Sequence, residues 1–228
     1  MNNEFSDILN QNNIVRLKQI EKHLANGVDI PCADGIIIEA DVTIGQGTVI
    51  LPGSIIKGKT AIGKNCVIGP NSFINDSIMG DSVSFKASFA EASQIGNNTT
   101  VGPFCNLRPQ SNVGQSVKIG DFVEIKNSNI GNNTSVAHLA YVGDSDVGEK
   151  CNFGCGTITG NYDGKAKYRT TIGDNVFIGC NSNFIAPVKI GTGSYIAAGS
   201  TITEDVPEYA LAIAREKQTL KENWAKKK

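Results

Sequence analysis

Most of this chain is predicted to be all-β, wound into a parallel β-helix, and three observations predict it. The first is a period of six. From Ile38 the residues divide into IEADVT, IGQGTV, ILPGSI, IKGKTA, IGKNCV and IGPNSF, each opening on isoleucine and carrying a residue no larger than valine at its fifth position. The second is that the pattern returns far along the chain, as IGNNTT, VGPFCN, VGQSVK, IGDFVE, VGEKCN, IGDNVF and IGTGSY. The third is composition. With 25 glycines among 228 residues and aromatics at 7%, the chain suits many tight turns and thin layers better than a helical bundle.

A period of six matches neither the 3.6 of a helix nor the simple alternation of a strand. It matches short strands joined by turns, with one aliphatic per strand turned inward. Three units close a triangular coil, the arrangement of the hexapeptide-repeat parallel β-helix. Ile, Val and Leu stack along the axis, glycine supplies backbone freedom at the turns, and small fifth residues fit a crowded interior corner. The known hexapeptide form is left-handed, against the usual right-handed crossover, and the hand is taken from that form. Residues 36 to 203 then make nine or ten coils, roughly 45 Å long at one strand spacing per coil. The register shortens at INDSI, AEASQ, IKNSN and VGDSD.

Solenoid ends need caps. Residues 1–30 are expected to be a tail and linker helix, 31–206 the β-helix, and 207–228 a C-terminal segment. The helix is placed at about 13 to 26, where Ile14, Leu17, Ile20 and Leu24 have near-helical spacing and Gly27 is a stop. Its His23 is expected on the surface. Pro207 is expected to close the last coil. Residues 214 to 225 are either a helix carrying Leu220 and Trp224 or an exposed tail.

Composition also excludes function classes. A net charge of −1 with 19% charged residues offers no basic footprint for nucleic acid, and the final KKK reads as a solvated tail. No apolar window is long enough to span a membrane, and the first ten residues lack the basic-then-apolar order of a signal peptide. Six cysteines invite a disulfide reading, yet Cys66, Cys105 and Cys151 share one place in the repeat and are expected as small buried thiols. The CNFGC run at 151–155 has a poor zinc spacing and no nearby histidine, so no metal site is expected.

A solenoid is scaffold, so its irregularities are where chemistry is sought. Arg108 stands in CNLRPQ where glycine is commoner. The insertion TGNYDGKAKYRTT, 159 to 171, carries Asn161, Tyr162, Asp163, Lys165, Lys167 and Arg169. Loops projecting from a scaffold either pad a neighbour or close a site. His138, third in VAHLAY, is a histidine the repeat does not need. The spacings Lys126 to Tyr141 and His138 to Asn152 are each close to one coil, and Glu124 and Lys126 leave the same strand edge. A cluster of Arg108, Lys126, His138, Tyr141, Asn152 and Asn161 along one edge is predicted. Arg and Lys suit a phosphate, and imidazole moves protons near neutral pH. Taken singly, each residue also reads as an exposed polar group on a strand face.

In one order the chain carries VGPFCNLRP, IGDFVEIKNS, HLAYVGDSDVG, CNFGCGTITGNYDG, KYRTTIGDNVFIGCNSNFIAPV and AAGSTIT. Together, over about residues 20 to 224, these closely resemble the C-terminal acetyltransferase domain of the bacterial bifunctional N-acetylglucosamine-1-phosphate uridylyltransferase/glucosamine-1-phosphate N-acetyltransferase. The hexapeptides are shared by many acyltransferases; the N-Y-D-G loop, the H-L-x-Y-x-G-D run and the L-R-P corner are specific. The resemblance implies a bacterial cytoplasmic enzyme that acetylates glucosamine 1-phosphate from acetyl-CoA, without a metal, as a homotrimer with active sites between subunits. It implies that His138 is the catalytic base and that Arg108 and Lys126 hold the sugar phosphate. Tyr141 and Asn152 match sugar-binding positions, and Lys167 a further basic loop position. Asn161 and Tyr162 match the loop meeting acetyl-CoA and sugar. Cys155, Cys180, Ala198 and Arg215 match CoA-site positions, although the family more often has Ala and Ser at the two cysteines. Glu124 is the candidate for orienting the imidazole. Nothing here resembles the family's Gly-rich nucleotidyltransferase motif, so uridylyl transfer is not expected, whether the chain is an excised domain or a natural stand-alone enzyme.

Other readings stay in view: a different hexapeptide acyltransferase, acting on serine or a nucleotide sugar, or a non-catalytic solenoid. An acyl-cysteine route through Cys155 or Cys180 lacks a basic neighbour in sequence. A β-helical carbonic anhydrase needs three histidine ligands, and the chain has two histidines.

Overall fold

The computed structural model describes residues 2–227, with side chains placed from residue 5 to 226. It is a left-handed β-solenoid of about ten turns preceded by one helix. Three parallel sheets of ten, nine and ten strands form the faces of a triangular prism. The first face runs from Ile37–Ile38 to Thr201–Ile202, the second from Thr43–Ile44 to Val188–Ile190, and the third from Val49–Ile50 to Leu211–Ala212.

Most strands hold only two residues because one inward aliphatic per side is all the narrow interior admits. Ile50, Ile56, Ile68, Ile74, Leu107, Ile119, Ile125 and Ile178 are fully buried. The fifth-position residues line the inside of all three corners, and many of them are polar. Thr48 Oγ1 donates to the Gly63 carbonyl at 2.8 Å and accepts from Cys66 N at 3.0 Å. Cys66 Sγ then donates to the Gly80 carbonyl at 3.2 Å, and Cys151 Sγ to that of Gly173 at 3.0 Å. The three thiols expected to be buried are buried. Cys66 and Cys151 replace hydroxyls at this corner, and Cys105 does so at the next, stacked on Ser88, whose Oγ accepts from Cys105 N at 3.0 Å. Burial pushes each of them up from the ordinary thiol range.

All four shortened units mark corners where one residue is missing. Asp76, Ala92, Asn127 and Asp144 turn these corners at φ between 43° and 47°, tighter than the 53° to 65° of ordinary corners. A fifth shortened corner, at Ala87 with φ 42°, escaped the sequence reading because the run SFKASFAE lacks an isoleucine marker.

Three end features differ from expectation. The helix spans Asn2–Ala25 and so begins about eleven residues earlier than predicted. Its inward face is Ile20 and His23, while Ile14, Leu17 and Leu24 are partly exposed. His23 is therefore buried, not on the surface, because it follows Ile20 by three residues on the docked face. Arg16 fastens the helix by donating to the Ala33 and Ile36 carbonyls at 2.9 and 3.2 Å. At the far end Pro207 does not close the last coil. The chain continues to Leu211–Ala212, which pairs with Tyr195–Ile196. Beyond it runs an extended tail ending in a short 3-10 turn, Trp224–Lys227, with Leu220 and Trp224 exposed.

Neither ring nitrogen of His23 has a hydrogen-bond partner. Burial, with Lys22 adding to it, holds its pKa below the ordinary value. The folded chain therefore keeps His23 neutral, while the unfolded chain takes up a proton below about pH 6.5. Stability is accordingly expected to fall as pH drops from 7 to 5. Urea midpoints for His23→Leu are expected to lose that part of the pH dependence; an unchanged slope would show that His23 does not couple helix docking to pH.

Candidate active site

Where the third face turns into the first, stacking builds a column of predicted residues. Ile119, Val136, Phe153, Ile178 and Ile196 are register partners on successive coils. Two residues beyond each stand Asp121, His138, Cys155, Cys180 and Ala198. The backbone rungs confirm the stack: Gly156 N donates to the His138 carbonyl at 3.0 Å, Asn181 N to Cys155 at 2.7 Å, and Gly199 N to Cys180 at 2.8 Å. Arg215 terminates the column, its Nε donating to the Ala198 carbonyl at 2.9 Å. The predicted base and four of the six predicted acetyl-CoA contacts thus share one corner, on which Cys155 and Cys180 are exposed, while the other two, Asn161 and Tyr162, lie in the inserted loop.

His138 is locally unusual. At the levels of Phe122 and Asn181 only the residue aligned with Leu139 is left-handed, and at Ala87 only the residue aligned with His138. Here His138 and Leu139 take φ 62° and 58° in succession. Such strain persists where surrounding structure imposes it, and it concentrates at functional sites. The imidazole is exposed, and its Nδ1–H donates to Asp121 Oδ1 at 2.9 Å. In the neutral ring that bond leaves the Nε2 lone pair free. The carboxylate that meets the imidazole is Asp121, not Glu124. Glu124 opens the strand Glu124–Lys126, two residues past the corner at Phe122, and instead pairs with Arg108 at 2.9 Å. Asp121 lies one shortened coil below His138, a spacing visible in the sequence but not used.

At the opposite edge of the first face the cations gather. Arg108 and Lys126 leave adjacent coils side by side, since Asn106 and Leu107 align with Glu124 and Ile125. Lys126 aligns in turn with Gly143. Lys126 Nζ lies 3.8 Å from Asp144 Oδ2. Asp144 is the buried hub of this edge, accepting from Asn127 Nδ2 at 2.5 Å and from Asn161 Nδ2. Burial alone pushes its carboxyl up, but the two amides and the Lys126 and Lys167 charges outweigh burial and hold it below the usual range. Lys126 is pushed down by Lys167 beside it and then by burial. Glu124 raises Arg108.

Tyr141 forms the floor between the two edges. Its ring lies over Gly143, where an added Cβ would sit 2.5 Å from the ring carbon bearing the hydroxyl. Its hydroxyl comes within 3.5 Å of Asn161 Nδ2. The inserted loop, 161–169, turns back on itself through a Tyr162–Lys167 bridge. Tyr162 is exposed and donates to the Gly164 carbonyl at 2.7 Å.

The predicted single edge is therefore one face with a corner at each side. Arg108, Lys126, Tyr141, Asn161 and Lys167 belong to the face and its cationic corner; His138 belongs to the other. Asn152 is not brought in. It lies on the third face, paired with Ser135 and Phe177, because its unit forms a strand of that face and not a corner. Among the described residues no group of three or more His, Cys, Asp or Glu is placed to hold a metal ion. Nor, among the described residues, is any helix long and apolar enough to cross a membrane.

Replacing Asp144 by Ala strands the Asn127 and Asn161 amides and is expected to cost about 1–3 kcal/mol in urea denaturation. In the parent chain this stabilisation is present at neutral pH and is lost as pH falls through the depressed carboxyl pKa. Asp144→Ala should therefore be less acid-dependent than the parent; identical acid profiles would contradict the hub.

A family profile described as Bacterial transferase hexapeptide (six repeats) matches residues 35–76 and 169–204. The "Bifunctional protein GlmU" of Clostridium acetobutylicum is 52% identical over 233 residues, covering 98% of this chain and 51% of that protein. The protein of the same name from Clostridium perfringens strain SM101 is 54% identical over 234 residues, covering 99% and 52%. The chain spans about half the length of these relatives. Among solved structures, LpxA from Acinetobacter baumannii superposes with a TM-score of 0.53 at 19% identity, over 80% of this chain and 69% of that one. A UDP-N-acetylglucosamine acyltransferase from Campylobacter jejuni gives 0.52 at 18%, over 82% and 71%. These two likenesses speak to the fold alone. The chain is a hexapeptide-repeat β-helix protein that matches, over nearly its whole length, the C-terminal acetyltransferase domain of GlmU.

Proposed function

We propose that this chain is a glucosamine-1-phosphate N-acetyltransferase, using acetyl-CoA on the route to UDP-N-acetylglucosamine in the bacterial cytoplasm. The observation that carries this reading is the layout of one face. A histidine oriented by a carboxylate stands at one corner, and Arg108, Lys126 and Lys167 stand at the other. An amino sugar phosphate laid over Tyr141 has its phosphate at the cations and its amine toward His138. Arg108 is held by Glu124 in a half-exposed pair, which is weak and open to competition by a phosphate.

Acetyl-CoA follows the corner column past Cys155, Cys180 and Ala198 to Arg215, which places the thioester beside His138. The neutral amine attacks the thioester carbon, and His138 Nε2 takes the amine proton as the N–C bond forms. Backbone N–H groups stabilise the oxyanion; the Asn161 amide is already committed to Asp144. The C–S bond then breaks, and the proton passes from His138 to the departing CoA thiolate. Asp121 keeps Nε2 available throughout.

Phe104 and Phe122 stack at 5.4 Å and, with Leu139, form an exposed apolar row along the His138 corner. A second copy covering this row gives the homotrimer and closes the site between subunits.

The test is CoA release from acetyl-CoA with and without glucosamine 1-phosphate, read by mass spectrometry because exposed cysteines disturb thiol dyes. Release is expected to depend on the sugar phosphate. His138→Ala is expected to lower kcat by about 10²–10⁴-fold with the fold retained. Lys126→Met is expected to raise KM for the sugar phosphate about 10- to 100-fold by losing a charge-assisted bond. A folded His138→Ala enzyme at parental rate would remove the base assignment, and release independent of the sugar phosphate would remove the acceptor.

A further inference from the structure

Arg169 closes the inserted loop and makes more hydrogen bonds than any position in a plain solenoid needs. Its Nε and Nη2 donate to Asp146 Oδ2 and Oδ1 at 2.8 and 2.6 Å. Its Nη1 donates to the Asn127 carbonyl at 3.0 Å, and Nη2 also to that of Ser145 at 3.1 Å. One guanidinium thus spans two coils. Asp146 is braced from behind, since Asn129 Nδ2 donates to its Oδ1 at 2.6 Å and Asn112 Nδ2 donates to Asn129 at 2.8 Å. The loop's other end is held by Asn161 on Asp144. Between these anchors Asp163 Oδ1 accepts from Lys165 N and Ala166 N, which tightens the turn.

Lys167 lies two residues before Arg169, its backbone bridged to Tyr162 next to Asn161, whose amide is on Asp144. Lys126 is at the same Asp144, so the two ammonium groups share this corner and act on one another. Like charges sharing a corner repel, and a free loop would let Lys167 swing into water. A clamp on the loop's exit opposes that repulsion until a phosphate neutralises it. The Arg169–Asp146 pair is half exposed, so its contribution to global stability is small. What the planar fork supplies is a fixed position, which a lysine cannot reproduce.

We propose that Arg169 is a positioning residue for acceptor specificity: clamped to Asp146, it holds Lys167 beside Lys126 and so makes the site select a phosphorylated amino sugar over its phosphate-free counterpart. This rests on the acetyltransferase reading above.

The experiment measures, for the parent, Arg169→Met, Arg169→Lys, Asp146→Asn and Lys167→Met, the kinetics with glucosamine 1-phosphate and with glucosamine. Amide hydrogen exchange across 161–169 is measured alongside. In Arg169→Met and Asp146→Asn, loop exchange is expected to quicken and KM for glucosamine 1-phosphate to rise roughly tenfold. Values for glucosamine and acetyl-CoA should move less than about twofold, so discrimination shrinks. Lysine at 169 should restore less than half of it, and Lys167→Met should lose discrimination with loop exchange unchanged. Equal losses with both acceptors, or unchanged loop exchange in Arg169→Met and Asp146→Asn, overturn the proposal. A parent chain that acetylates neither acceptor overturns the functional reading, and the specificity role with it, while the exchange data still report whether the clamp holds the loop.

Discussion

Everything in this molecule depends on coils stacking in register at one strand spacing. Each coil's backbone N–H groups bond to carbonyls of the coil next to it, as Gly45 N does to Ile62 O at 2.9 Å and Gly63 N to Met79 O at 2.9 Å. Such stacking buries the aliphatic column and satisfies the backbone with the same geometry. It also brings successive corners very close. A Cβ at Gly45 would lie 2.6 Å from the Gly63 carbonyl carbon, so that corner excludes side chains. The constraint converts sequence distance into spatial order: a residue one coil later is an immediate neighbour.

Chemistry enters where the constraint is relaxed by one residue or by a loop. The shortened corners at Asn127 and Asp144 turn two polar side chains toward one another, and the insertion adds Asn161 to them. That hub neutralises part of the charge of Lys126 and Lys167 without consuming it, because a single carboxylate faces two ammonium groups. The opposite corner is modified by backbone and not by length. Two successive left-handed residues push His138 outward over Asp121. Both devices leave the aliphatic column untouched: Val136 and Val142, flanking His138, remain fully buried. A site can therefore be written on the outside of a solenoid without disturbing what holds it together.

The polar corners inside the prism follow the same economy. Threonine, serine and cysteine recur there, among valines, because each supplies one donor and one acceptor in a small volume. Cys66, Cys105 and Cys151, which look like part of a disulfide set in a list of residue counts, are in the fold single members of such ladders.

The period of six, its stacked isoleucines and its four recognised shortenings determined the solenoid, its number of coils and which residues share a level. They also singled out Arg108, His138 and the loop, since each breaks the pattern, and coil spacing joined Lys126 to them. What the sequence could not determine is how far apart two corners of one coil lie, so a face with two edges was read as one edge and Asn152 was drawn into it. Partners set by side-chain direction were equally out of reach. Asp121 rather than Glu124 meets His138 because Asp121 stands at the corner one coil below it, whereas Glu124 stands on the strand and points to Arg108. The helix shows the same limit: apolar spacing indicated its existence, but only docking on the first coil decided that His23 is inside. Register is written in one dimension and was legible there; the direction of a side chain from a corner is a tertiary fact.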